Sequence, residues 1–202
     1  MPQAVVELRD RVAQLRDVEI RLDGSSATGS RTELSDWDFD IRLPAETSVE
    51  ALVPAAENGD ALAVFWDPLS RRANLIVLLD GPVKVDLIAA DRPNPALIER
   101  WEVTATTLTR LDAHFWDWTL WLGAKHLRGL TQLVHDHLDH MHDAILVPLG
   151  VPESKPIPDI ASAVAVFIAT RDARAAELGV AVDGRLQHQV VAALRRYDVI
   201  PA

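Results

Sequence analysis

Gly24-Ser25, then Ser35-Asp36-Trp37-Asp38-Phe39-Asp40-Ile41, then Asp86 within the apolar run Val83-Lys84-Val85-Asp86-Leu87-Ile88 are the segments whose reading decides the fold. Side chains on a strand alternate faces, so Asp36 and Asp38 point the same way about 7 Å apart along the backbone. Like charges on one strand face repel, by about a few tenths to 1 kcal/mol for each neighbouring pair. A carboxylate inside an apolar run such as the one around Asp86 is costly unless it is paired or metal-bound. A Gly-Ser turn able to hold phosphate, two carboxylates spaced by two, and a third on another strand describe a two-metal phosphoryl-transfer site. In such a site, cations about 3.5–4 Å apart clamp the attacking and leaving oxygens. Asp40 shares the strand face, so Asp38-Phe39-Asp40 is an alternative reading of the same pair.

The wider chain sets bounds on the chemistry. At 202 residues with 49% hydrophobic content it can bury a core of one large or two small domains. It contains no cysteine, which excludes disulfides, zinc-thiolate sites and thiol catalysis. The N-terminus lacks a basic region followed by an apolar core, and no apolar run approaches membrane-spanning length, so a cytoplasmic protein is expected. With 20 Lys+Arg against 30 Asp+Glu the net charge is −10, and no basic stripe is visible. Nucleic acid is therefore not the expected partner. An acidic surface attracts small cations over a long range.

Periodicity predicts an α+β chain: a mixed β-sheet with flanking helices, followed by a C-terminal helical bundle. Residues 3–17 have a helical rhythm, with Val5, Val6, Leu8, Val12 and Leu15 apolar. Val18–Leu22, Ser35–Leu43, Ala61–Trp66, Ala73–Leu79 and Val83–Ala90 are expected strands, the last two joined by an Asp80-Gly81 turn. Thr47 and Glu50 form a capping box before a helix. Asp91-Arg92-Pro93-Asn94-Pro95 is the expected boundary. It gives a catalytic domain over 1–92 and a helical domain over 93–202 forming the other wall of a cleft. The helices are expected at Leu111–Leu127, Gly129–Leu149, Ile160–Leu178 and Arg185–Tyr197.

The order Leu22-Asp23-Gly24-Ser25, spacer, Ser35-Asp36-Trp37-Asp38, with Asp86 as third carboxylate, resembles the nucleotidyltransferases related to DNA polymerase beta. The spacer and the serine before the first aspartate look most like the small antibiotic nucleotidyltransferases of that family. His114-Phe115-Trp116 leading to Ala124-Lys125 is similar to a helix of the streptomycin-type aminoglycoside adenylyltransferases, whose lysine reaches the nucleotide phosphates. The resemblance implies Mg²⁺ at Asp36, Asp38 and Asp86, and ATP or another nucleoside triphosphate on Gly24, Ser25 and Lys125. It also implies transfer of a nucleoside monophosphate to a hydroxyl of a small acceptor, with Asp117 and Asp40 as candidate acceptor contacts. Many relatives read Gly-Ser-x-Ala-Arg-Gly where this chain has Gly24-Ser25-Ser26-Ala27-Thr28-Gly29. Arg31 is the candidate replacement for the missing arginine. A regulatory, antitoxin-like module of the same fold, or a protein or tRNA acceptor, are the alternative readings.

His135-Asp136-His137-Leu138-Asp139-His140-Met141-His142-Asp143 also invites a metal reading. On a helix His135, Asp139 and His142 share a face and could ligate zinc. The competing reading makes Leu130, Val134, Leu138, Met141 and Ile145 the buried stripe, with the histidines on its polar flank.

Overall fold

A computed structural model of the chain describes residues 1–24, 27, 29, 31–57 and 61–202. Ser25, Ser26 and Thr28 lie outside the described residues. The chain divides into two units, Met1–Glu99 and Arg100–Ala202. The dividing point falls later than the prolines suggest, because residues after the last strand fold back on their own sheet. Asn94 Nδ2 donates to the Asp67 and Ser70 carbonyls, both at 2.6 Å, and the Ile98 amide donates to the Pro68 carbonyl at 3.0 Å.

The first unit opens with α1 (Gln3–Ala13), which buries Val5, Leu8 and Val12. It stops four residues short of the expected Asp17. The Gln14 and Leu15 amides bond to carbonyls three residues back, tightening the last turn, and Asp17 takes φ 56°, which a right-handed helix cannot continue. Among the described residues five strands follow: β1 (Glu19–Asp23), β2 (Trp37–Arg42), β3 (Ala61–Trp66), β4 (Arg72–Leu79) and β5 (Val83–Pro93). They form one sheet in the order β1-β2-β5-β4-β3, with β2 and β5 parallel and the other neighbours antiparallel. Between β2 and β3 a 3-10 turn, Val49–Ala51, leads into α2 (Leu52–Ala56). Ser48 rather than Thr47 caps it: the Ser48 hydroxyl accepts the Glu50 amide, whereas the Thr47 amide is engaged by the Pro44 carbonyl.

Alternation along the strands sorts the sheet into two faces. Trp37, Phe39 and Ile41 on β2, Leu75, Val77 and Leu79 on β4, and Val85 and Leu87 on β5 pack with Val5, Leu8, Val12, Leu52 and Ala56 of the two helices. Asp38 and Asp86, one residue out of step with that pattern, emerge on the opposite face.

The second unit is helical: α3 (Leu108–Leu127), α4 (Thr131–Met141), α5 (Ile160–Leu178) and α6 (Arg185–Arg196). A π-helical turn, His142–Leu146, and a last helical turn, Val147–Leu149, extend α4. Gly129, at φ 70°, terminates α3, its amide reaching the His126 carbonyl and the next amide reaching that of Lys125. This delays the start of α4 to Thr131. Asp159 caps α5 by accepting the Ser162 amide at 2.7 Å. A buried guanidinium ties three helices together: Arg171 on α5 donates to Asp112 on α3 and to Gln187 on α6, both at 2.6 Å, while the Trp116 indole donates to the same Asp112 oxygen at 3.1 Å. Among the described residues no helix is long and apolar enough to cross a membrane.

Candidate metal centre

Parallel pairing of β2 with β5 sets Asp38 directly opposite Asp86. Neighbouring strands lie about 4.8 Å apart, so two carboxylates in register on one face meet at the spacing of shared cation ligands. Asp36 precedes β2 by one residue. It is presented by a turn in which the Ser35 hydroxyl accepts the Thr32 amide at 2.8 Å and the Ser35 amide donates to the Thr32 carbonyl at 3.1 Å. One carboxylate oxygen from each of Asp36, Asp38 and Asp86 lies within 4.8 Å of the other two. Asp36 and Asp38 are half-buried and Asp86 is buried. The donor set is three anionic oxygens without sulfur or imidazole, which suits Mg²⁺ or Mn²⁺.

The surroundings of the three carboxylates are specific. Asp86 Oδ2 lies 3.3 Å from Lys84 Nζ, and Asn74 Nδ2 donates to Asp86 Oδ1 at 3.2 Å. Neither Lys84 nor Asn74 was assigned a role from sequence. Lys84 could have been found, since it stands two residues before Asp86 and so shares its face. Gly24 sits at the end of β1 with φ 65°, a conformation that favours glycine. A Cβ built there would overlap Asp38 Oδ2 and stand 2.8 Å from its Cγ. The glycine is therefore the space that the Asp38 carboxylate occupies.

Asp40 stands apart from the three. Its register partner on β5 is Ile88, and its Oδ2 faces Arg21 Nη2 at 3.4 Å and Arg42 Nε at 4.0 Å. Arg31 lies beside the site. Its guanidinium is 4.2 Å from the Trp37 ring centroid and donates to the Ser35 carbonyl at 3.0 Å. Partial burial pushes the Arg31 pKa down from its usual value, while the negative charge of Asp36 pulls it back up.

The remaining candidates belong to the second unit. Lys125 lies in the last turn of α3 with Nζ 4.7 Å from the Trp121 ring centroid. Asp117, on the same helix, is buried with Oδ2 3.8 Å from His114 Nδ1. Among the described residues the histidine run is not drawn into a metal cluster. His135 is exposed, whereas His142 is buried with Nε2 3.3 Å from the Pro152 carbonyl. Among the described residues, Asp36, Asp38 and Asp86 are the one group of three or more metal-capable side chains within ligand distance of one another.

No protein-family model and no curated protein matches the chain. Among solved structures it is similar to the polymerase core of TRAMP, an RNA surveillance complex, at 15% identity and a TM-score of 0.38. That alignment covers 82% of this chain and 56% of the other, so the chain spans little more than half of that protein's length. It is also similar to an aminoglycoside 6-adenyltransferase from Bacillus subtilis, at 13% identity and a TM-score of 0.34, over 96% of this chain and 95% of that one. At such identities and TM-scores neither likeness bears on chemistry, for which the carboxylate geometry has to answer.

Proposed function

We propose that the first unit carries a Mg²⁺-dependent nucleotidyltransferase centre, transferring a nucleoside monophosphate, AMP from ATP in the leading case, to a hydroxyl of a small cationic acceptor such as an aminoglycoside. The observation that supports this most is the convergence of Asp36, Asp38 and Asp86 within 4.8 Å, from one strand, the turn before it and a parallel neighbour. Three oxygen donors at that spacing fit divalent cations that also bind phosphate oxygens. Bound there, Mg²⁺ supplies charge neutralisation for the triphosphate and a template for in-line displacement.

The chain's own residues have separable tasks. Asp36 and Asp38 present oxygens from the turn and β2. Gly24 leaves the room that Asp38 needs, and its loop is the phosphate-holding element of the resemblance. Arg31, whose charge interacts with that of Asp36, would supply a phosphate-binding cation in place of the arginine that the loop lacks. The acceptor hydroxyl attacks the α-phosphorus, forming a P–O bond as the α–β bridging bond breaks and pyrophosphate leaves. In this reading Asp86 takes the hydroxyl proton as the general base. The net charge of −10 favours a cationic acceptor.

The test is incubation with Mg²⁺, each of the four nucleoside triphosphates and a panel of aminoglycosides, with pyrophosphate release as readout. Release that needs both Mg²⁺ and an acceptor, and that disappears in Asp38→Ala, is expected. Absence of divalent-dependent nucleotide binding by the wild type overturns the reading.

A further inference from the structure

Lys84 is a buried lysine beside one of the three clustered carboxylates. Its side chain is 9% exposed and that of Asp86 is 5% exposed, with Nζ 3.3 Å from Asp86 Oδ2. The ammonium thus lies against a carboxylate oxygen of one of the three clustered aspartates. Asn74, two positions along β4 from the residue opposite Asp86, holds the other oxygen. A buried ammonium is strongly disfavoured unless paired, and an aliphatic side chain of similar length would fill the same space without that penalty. What the ammonium adds is a positive charge at the carboxylates. It offsets part of their mutual repulsion in the metal-free protein, and it repels an incoming divalent cation.

We propose that Lys84 is the resident counter-cation of this site, holding Asp86 in place without metal and making metal loading depend on the anionic nucleotide. The inference rests on the metal-dependent reading above. Lys84 weakens divalent binding to the nucleotide-free protein. A triphosphate adds negative charge that outweighs the ammonium, so metal and nucleotide enter together. Lys84 is a positioning residue, since it acts through Asp86.

Mn²⁺ binding, followed by electron paramagnetic resonance with and without a non-hydrolysable ATP analogue, tests it. Even at the dielectric of bulk water, a unit charge about 5 Å from a divalent ion changes affinity by about tenfold or more. Lys84→Met should therefore bind Mn²⁺ about tenfold or more tightly than wild type without nucleotide. The affinity gain on adding the analogue should shrink correspondingly. Lys84→Arg, which keeps the charge, should restore the wild-type pattern. Unchanged or weaker Mn²⁺ binding in Lys84→Met overturns the proposal and leaves Lys84 as a packing residue. If Lys84→Met is less stable than wild type, added Mn²⁺ should raise its melting temperature by more than it raises that of wild type, and an equal or smaller rise counts equally against the proposal. Asp38→Ala separates the two levels. Mn²⁺ bound by wild type and lost in Asp38→Ala keeps the site itself whatever Lys84 does, whereas no Mn²⁺ binding by wild type, with or without analogue, removes both readings.

Discussion

Gly24→Ala perturbs the site with little effect on the fold, and Gly29→Ala is its internal control. Both glycines have positive φ, 65° and 74°, so alanine at either position costs about 1–2 kcal/mol of backbone strain. They differ in what the new methyl meets. Among the described residues nothing lies within 4 Å of a Cβ at Gly29, whereas at Gly24 the Asp38 carboxylate is in the way. The obstructing atoms are the end of a short side chain, so Asp38 relieves the overlap by rotating, at about 0.5–1.5 kcal/mol for an off-rotamer χ. The melting temperatures of the two variants should therefore differ by only a few degrees, at about 2–4 °C per kcal/mol for a chain of this size. Function should separate them widely, because a displacement of about 1 Å at a reacting centre can cost about 10²-fold in rate. Mn²⁺ titration and pyrophosphate release on both variants measure this. Equal Mn²⁺ affinity and equal turnover in the two would show that Asp38 does not need the space beside Gly24.

Asp86→Asn should slow pyrophosphate release by about 10²-fold or more, the range for a lost general base, with a smaller effect on nucleotide affinity. Asp40→Asn should leave Mn²⁺ affinity unchanged, because Asp40 is engaged by Arg21 and Arg42 and lies outside the cluster; a clear loss would move the site to the Asp38/Asp40 pair. In the second unit, Arg171→Met leaves Asp112 buried without its guanidinium and should cost about 3–5 kcal/mol in chemical denaturation, with Asp112→Asn in the same chain recovering part of it. His137 should titrate below the ordinary 6.5 in an NMR titration, since burial, then His140 and Lys125, disfavour its charged form. Its folded pKa is depressed, so the unfolded chain takes up the proton first. The contribution of His137 to stability is then full above 6.5 and declines as pH falls through the window below it. A midpoint at or above 6.5 would refute that.

The sequence carried much of the fold because local signals and packing agreed. β3 at Ala61–Trp66 and α5 at Ile160–Leu178 have the expected limits, the latter because Asp159 caps one end and Gly179, in the left-handed region, closes the other. The misreadings fall where long-range bonding overrides local preference. β5 runs past Ala90 to Pro93, although Asp91-Arg92-Pro93 looks like a break. Pro93 pairs with Arg72 across a bulge at the end of the strand, and Arg92 Nη2 donates to the Pro44 carbonyl at 2.7 Å. No local pattern announces either contact.

For the site, the period of two made Asp36 and Asp38 a pair, and the apolar run marked Asp86 as an anomaly, but neither signal says which strand lies beside which. That information resides in the parallel register of β2 and β5, a pairing across nearly fifty residues of chain. The register favours the Asp36/Asp38 reading proposed above. With Asp38 opposite Asp86 and Asp40 opposite Ile88, a cation held by Asp86 would share Asp38, and a slip of two residues would have made it Asp40. The same period explains Lys84. A residue two before the third carboxylate must share its face, so a lysine there faces the site, whereas at position 85 it would have been driven into the apolar core with Val85. In the reading proposed above, the lysine next to Asp86 is fixed there by strand geometry, and its charge would act on a bound cation through that short distance.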